Sequence, residues 1–314
     1  MDAAFTDFGR ALELSPDYVG VYVERSKWRG HLGRNEEAIA DCTRALQLHA
    51  DHQTATKNRA ILYVRIGAYE RAVTDLTSLT RMLPNDDENW RLRGYALFAM
   101  GETEKAVDDF SRAIELAPHN ALHRRTRARA YMRLHRYREV IPDYSVVLES
   151  SPHDPTNLLR RGMAYELIGD IDAARRDYTK VAKGQQPAAD YGRFWAMLLP
   201  GTSENASSDN VPATFEQKHT EPKRWTDHIA RHLRGESSSD VLLSAATIPD
   251  EEAEAWYYLG RTALRDGRRA EALRAFEQCV ALDRRSLLES EFARALMRTL
   301  SNNTNTPPLQ TSDE

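Results

Sequence analysis

The side chains best placed to do chemistry in this 314-residue chain form two ladders. Arginine recurs at a constant interval, at Arg25, Arg59, Arg93, Arg127 and Arg161. Aspartate keeps the same 34-residue step at Asp7, Asp41, Asp75, Asp109, Asp143 and Asp177. A guanidinium and a carboxylate meet through two parallel charge-assisted hydrogen bonds, a chemistry suited to holding surfaces together rather than to turnover. A second cationic set lies off the ladder. The run His123-Arg124-Arg125-Thr126-Arg127-Ala128-Arg129 has no acid after it until Glu139. Arg125, Arg129 and Arg133, spaced i, i+4, i+8, share one helix face. Like charges so placed mildly destabilise a helix, so the face is either solvated, paired with acids such as Glu88 and Glu166, or answered by an anionic partner such as an acidic peptide segment or a C-terminus. Metal chemistry has less to stand on: His228 and His232 are spaced to share an ion, but no third ligand is evident. His119 and His123 straddle a unit boundary, where a loop position is expected. No phosphate-cradling glycine loop, nucleophile elbow or cysteine–metal cluster occurs. The expectation is a noncatalytic protein with no cofactor and no metal.

The elements that must position these side chains follow from other residues on the same 34-residue step. A small residue comes after each ladder arginine (Ser26, Ala60, Gly94, Ala128, Gly162). Alanine or valine recurs at Ala4, Ala38, Ala72, Ala106, Val140 and Ala174. A core-type residue comes after each aspartate (Phe8, Cys42, Leu76, Phe110, Tyr144, Tyr178). Apolar residues within a unit fall at helical spacing, as in Ala106, Phe110, Ala113 and Ile114. Gly33, Gly67, Gly101 and Gly169, with His135 once in the same slot, supply the left-handed residue after a first helix. Pro16, Pro84, Pro118 and Pro152 stop second helices. Each unit therefore reads as two helices, and a period of this length means a stack of such units rather than one globular core. Residues 3–14 read as a second helix without its first.

These residues resemble the tetratricopeptide repeat (TPR). Trp90, Gly94, Gly101, Ala106, Phe110, Ala113 and Pro118 carry the pattern, and it returns at 253–286 with Gly260, Gly267, Ala272, Phe276 and Cys279. The resemblance implies an all-α helix-turn-helix solenoid, a right-handed superhelix with a C-terminal capping helix. It also implies a concave groove lined by first helices. The arginine slot is usually apolar in that pattern, so an arginine there should be partly desolvated and paired. The favoured reading joins each aspartate to the arginine of the following unit, Asp41 to Arg59. Asp7, with an arginine after it but none before, supports that direction. Pairing within a unit, Arg59 to Asp75, is the alternative. The groove slots are Lys57, Ile61, Arg65, Arg91, Tyr95, Phe98, Arg125, Arg129, Met132, Arg133, Leu159 and Met163. Asn58 fits one slot of the two-carboxylate clamp of chaperone-tail receptors, but Val23, Lys27, Glu88 and Leu92 do not fit theirs.

The expected organisation is a TPR array over 1–186 (a partial unit plus five full ones), an irregular helical unit over 187–252, a TPR unit with a capping helix over 253–300, and a disordered tail over 301–314. Within the irregular unit, Ala188–Leu199 reads as a helix, about 200–222 as a flexible insertion, about 222–233 as a helix ended by Gly235, and a short helix as capped by Ser239 or Asp240. The string Trp225, Leu233, Gly235, Leu242, Leu243, Tyr257-Tyr258-Leu259-Gly260 and Phe292 is similar to the C-terminal half of NlpI-type bacterial TPR lipoproteins. That similarity implies an adaptor holding cell-envelope hydrolases and a protease together. Net charge is −4, which gives no bulk drive toward nucleic acid or anionic membrane. A nucleic-acid-associated protein using the Arg125–Arg133 face stays as an alternative, and a metal-dependent enzyme as a remote one. No run is apolar enough to span a membrane. Localisation stays open: cytoplasmic for the sequence as it stands, or the cell envelope if a signal or lipobox lies upstream. Cys42 and Cys279 fall on distant core slots and read as free thiols. The expected function is a scaffold or adaptor that holds a peptide or protein segment, acidic where it meets the arginines.

Overall fold

The computed structural model describes residues 2–185, 187–200, 224–284 and 287–302. It is built from helices: seventeen, and no strand, among the described residues. In chain order they are α1 (Asp2–Leu14), α2 (Val19–His31), α3 (Asn35–Leu48), α4 (Gln53–Arg65), α5 (Tyr69–Met82), α6 (Asp87–Met100), α7 (Thr103–Leu116), α8 (Ala121–Arg133), α9 (Tyr137–Ser150), α10 (Pro155–Leu167), α11 (Ile171–Ala182), α12 (Ala188–Met197), α13 (Trp225–Leu233), α14 (Ser239–Ala245), α15 (Pro249–Arg265), α16 (Arg269–Ala281) and α17 (Leu288–Asn302). The insertion expected at 200–222 and the tail beyond 302 lie outside the described residues, apart from Pro200. Ser301 and Asn302, expected in the tail, still belong to α17.

The hairpins form where the sequence places them. Gly33, Gly67, Gly101 and Gly169 turn out of first helices at φ 76°, 78°, 91° and 86°, and His135 takes the same left-handed geometry at φ 59°. The small slot is closed by ring contact. A Cβ on Gly94 would stand 2.8 Å from a Phe110 ring carbon, and one on Gly162 2.5 Å from Tyr178. Ala38, Ala72, Ala106, Val140 and Ala174 are fully buried beside them. One cap differs from expectation. Ser238, not Ser239 or Asp240, caps α14, its Oγ accepting from the Val241 amide at 3.4 Å.

The chain divides into two compact units, Met1–Arg136 and Tyr137–Glu314. The 34-residue period runs through this division, and Arg127 and Asp143 fall on opposite sides of it. In the first unit the first helices α2, α4, α6 and α8 touch in succession and make a continuous layer, with α3, α5 and α7 packed between them. In the second unit α10 packs on α9 and α11, α11 on α12, and α15 on α16. The closing helix α17 lies against α10, α15 and α16. An aromatic interior results: Trp195 is fully buried, 5.4 Å from Tyr178 and from Phe292, and its indole N–H donates to the Tyr258 hydroxyl at 3.2 Å.

Candidate functional site

The ladder pairs within units, not between them. Arg25 meets Asp41, Arg59 meets Asp75, Arg93 meets Asp109 and Arg161 meets Asp177, each through two guanidinium nitrogens at 2.6–3.0 Å. The reading that joined Asp41 to Arg59 is therefore corrected. An arginine on a first helix reaches forward across its own hairpin to the aspartate of the same unit, rather than back to the aspartate of the unit before. Asp7, whose unit supplies no arginine ahead of it, is exposed. The desolvation argument holds: these arginine side chains are 18–20% exposed and their carboxylates 4–9%.

A third ladder joins successive units. Arg59 Nη1 donates to Thr43 Oγ1 at 3.4 Å, Arg93 to Thr77 at 3.5 Å, Arg127 to Ser111 at 3.0 Å and Arg161 to Ser145 at 3.1 Å. Each hydroxyl stands just beyond the core residue that follows the preceding unit's aspartate. Its 34-residue step is visible in the sequence, although sequence reasoning passed over it. Each ladder arginine also lies over a neighbouring ring: Tyr22, Tyr63, Trp90, Tyr131 or Tyr165, at 4.8–5.9 Å.

Among the expected groove residues, several serve the fold. Arg65 donates to the Gly30 carbonyl and Arg133 to the Phe98 carbonyl at 2.8 Å, so each closes the C-terminus of the preceding first helix. Arg133 also lies 4.9 Å over the Phe98 ring. Lys57 pairs with Asp86, the N-cap of α6, at 3.2 Å, and Arg91 with Glu88. Met132, Leu159 and Met163 are buried, against expectation. Leu159 and Met163 hold the slots of Arg125 and Arg129 one repeat on, but α17 packs on α10, with Arg160 3.2 Å from Glu291. Within the first unit, no helix packs over the first-helix layer in that way.

Two arginines remain uncommitted. Arg125 and Arg129 are exposed on α8 and make no ion pair among the described residues; Glu88 and Glu166, the acids nearest to hand in sequence reasoning, are engaged elsewhere. Tyr95, on the neighbouring α6 in the same repeat slot as Arg129, is 38% exposed. His123 is not in a loop. It is fully buried in α8, its Nε2 2.6 Å from Asp87 Oδ2 and 3.1 Å from the Asn120 amide. His228 stacks on Trp225, and His232 Nδ1 donates to the Ser237 carbonyl at 3.3 Å, while burial lowers its basicity. No group of three or more potential metal ligands gathers among the described residues. Cys42 and Cys279 are buried free thiols, each pushed up to about 11 by burial.

The second unit holds polar groups in its interior. Arg261 is 1% exposed and donates to Glu166 at 2.8 Å, to the Tyr257 hydroxyl at 2.8 Å and to the Leu198 carbonyl at 3.2 Å. Burial raises the Glu166 carboxyl, opposed by the Arg261 charge and the Tyr178 hydroxyl. Glu254 accepts from Trp225 Nε1 at 2.8 Å and Tyr191 at 3.0 Å. Glu289 is buried nearby, and burial together with the Glu254 carboxylate pushes it up to about 8.

Family models described as tetratricopeptide repeat match residues 29–87, 89–120, 125–190 and 253–286. The protein belongs to the tetratricopeptide repeat family. No curated protein matches this TPR chain in sequence. Among solved structures it is similar to YrrB, a TPR protein with an unusual peptide-binding site (19% identity, TM-score 0.50, 55% of this chain and 89% of that one). It is similar also to MamA (21%, 0.51, 55% and 94%) and to the C-terminal part of a TPR protein from Cytophaga hutchinsonii (16%, 0.54, 83% and 95%). At these identities the likeness is one of fold. Of the second-unit string from Trp225 to Phe292, Leu242, Tyr257, Tyr258 and Phe292 are fully buried.

Proposed function

We propose that this TPR protein is a noncatalytic scaffold whose open first-helix layer holds an acidic segment of a partner at Arg125 and Arg129, with Tyr95 beside them. The observation that carries this reading is the contrast among neighbours. Lys57, Arg65, Arg91 and Arg133 all have partners within the fold, whereas Arg125 and Arg129 stand one helical turn apart, exposed and without a carboxylate. Two like charges on one face weaken a helix unless an anion answers them, so their placement fits a ligand better than the fold. Exposed arginine beside exposed tyrosine is also the composition of an interface anchor.

Arg129→Glu tests it. In fluorescence anisotropy with a labelled acidic peptide ending in a free carboxylate, the variant should bind at least about tenfold more weakly, the size of a lost charge pair turned repulsive. Its far-UV circular dichroism should match the parent. Equal affinity in parent and variant refutes the site. Tighter binding of single-stranded DNA than of the peptide would move the face to nucleic acid. Cell-envelope hydrolases are the narrower partner class suggested by the second unit's resemblance, and their recovery by the parent but not by Arg129→Glu would support it.

A further inference from the structure

A second cationic surface lies outside the first-helix layer. Arg175, Arg176, Thr179, Lys180 and Lys183 line an open cleft of about 320 Å³ along one face of α11 and the turn that follows. Arg176, Lys180 and Lys183 are exposed or half-buried at the surface, as is Arg175, and none of the four cations makes an ion pair among the described residues. The acids around them are otherwise placed. Asp177 is buried against Arg161 and Asp190 holds Arg193, while Asp172, one turn before Arg176, and Asp170, which caps the start of the helix, are exposed. Arg193 donates to the Ala182 carbonyl at the same end of the helix, its own charge met by Asp190. Thr179 occupies the hydroxyl slot of the third ladder, just beyond Tyr178. The arginine that would reach it belongs at 195, where Trp195 stands fully buried. Thr179 therefore receives no ladder arginine and lines the cleft instead.

We propose that this face of α11 is a second docking surface, for an acidic segment of a partner protein. From Arg175 to Lys183 the four cations span about 12 Å along the helix axis, the reach of a short run of carboxylates on an acidic peptide. The face offers no aromatic platform for bases, since Tyr178 is fully buried, and the amides within α11 are spent on the helix, so no backbone nest is presented to a phosphate. A net charge of −4 also opposes long polyanions, leaving short-range pairing as the attraction.

The test uses the full chain with Arg125→Glu and Arg129→Glu in place, so that the first-helix layer is silenced, and a fluorescein-labelled octaglutamate peptide at low salt. Binding should persist in that background and weaken by about tenfold or more on adding Arg176→Glu and Lys180→Glu, with affinity falling as salt rises. A matched reversal elsewhere, Arg81→Glu with Arg274→Glu, should leave affinity within about twofold, as screened distant charges do. If the silenced background no longer binds the peptide, the α11 proposal fails while the α8 reading stands. Equal losses in the two added pairs would reduce the attraction to net charge and overturn it. An eight-nucleotide single-stranded DNA binding tighter than the peptide would overturn the choice of partner.

Discussion

Glu166→Ala would leave the Arg261 guanidinium buried in the second unit without a carboxylate. Breaking a buried pair from one side costs about 3–5 kcal/mol, because the surviving charge stays desolvated. Here the remaining partners are dipoles: the Tyr257 hydroxyl, the Leu198 carbonyl and the Phe292 ring, 5.0 Å from the guanidinium carbon. A desolvated cation–π contact contributes about 2 kcal/mol or more, but it is already present in the parent, so it offsets none of the loss. The Tyr178 hydroxyl, 3.0 Å from Glu166 Oε2, also loses its acceptor. We expect a loss of about 3–5 kcal/mol for Glu166→Ala and a similar one for Arg261→Met, each stranding one charge. The double variant Glu166→Leu/Arg261→Met should fall within about 2 kcal/mol of the parent, since removing both charges removes the desolvation penalty as well. Urea unfolding followed by tryptophan fluorescence and circular dichroism reads all three. A Glu166→Ala loss below about 1 kcal/mol, or a double variant as unstable as the sum of the singles, would refute the reasoning.

Two further outcomes follow from the same geometry. Gly162→Ala, whose Cβ would meet the fixed Tyr178 ring at 2.5 Å, and Ala106→Leu, fully buried at the hairpin contact, should each cost about 1–3 kcal/mol in thermal melts; an unchanged Tm for either would refute that packing. The buried Glu289 carboxyl is raised from 4.5 to about 8, so the folded state holds a proton that the unfolded state releases. Stability should be greatest below pH 4.5 as far as this group is concerned and fall as pH rises toward 8. Glu289→Gln should flatten melts between pH 5 and 8, and an unchanged pH profile would count against the assignment. Glu254, Tyr191, Tyr257, Tyr258 and Cys279 face the same interior, and Glu254 is raised by burial in the same sense.

The helices were legible because period and composition agree: glycine or His135 at the left-handed turn, a small residue where a ring closes down, proline shortly past a helix end. The partner of each arginine was not legible. A strict repeat fixes the forward and the backward separation equally well, and only the direction of the side chain across its hairpin decides between them. The hydroxyls Thr43, Thr77, Ser111 and Ser145 were hidden by type, since serine and threonine on a helix read as solvent-facing. Leu159 and Met163 were misplaced because a repeat slot predicts exposure only while the neighbours also repeat, and α17 ends that repetition. The Glu166–Arg261 pair was invisible for the same reason: its residues lie 95 apart and off any period.

The way the ladder closes has a consequence for how such a chain can change its length. Both halves of the ion pair travel inside one hairpin, and only neutral hydroxyls receive the arginine of the next. Deleting or duplicating a whole repeat therefore severs no pair of this ladder and offers its arginines an equivalent serine or threonine at the new junction, although the Lys57–Asp86 and His123–Asp87 contacts do cross from one repeat to the next. Cross-paired charges would instead strand a buried carboxylate or guanidinium at any junction where the next hairpin lacked the matching residue. As far as the ladder is concerned, the hairpins of the first unit are exchangeable parts. Those of the second are not, because Arg261 ties its own helix to Glu166 on α10 and to the end of α12, and a gain or loss of repeats should be confined to the chain before it.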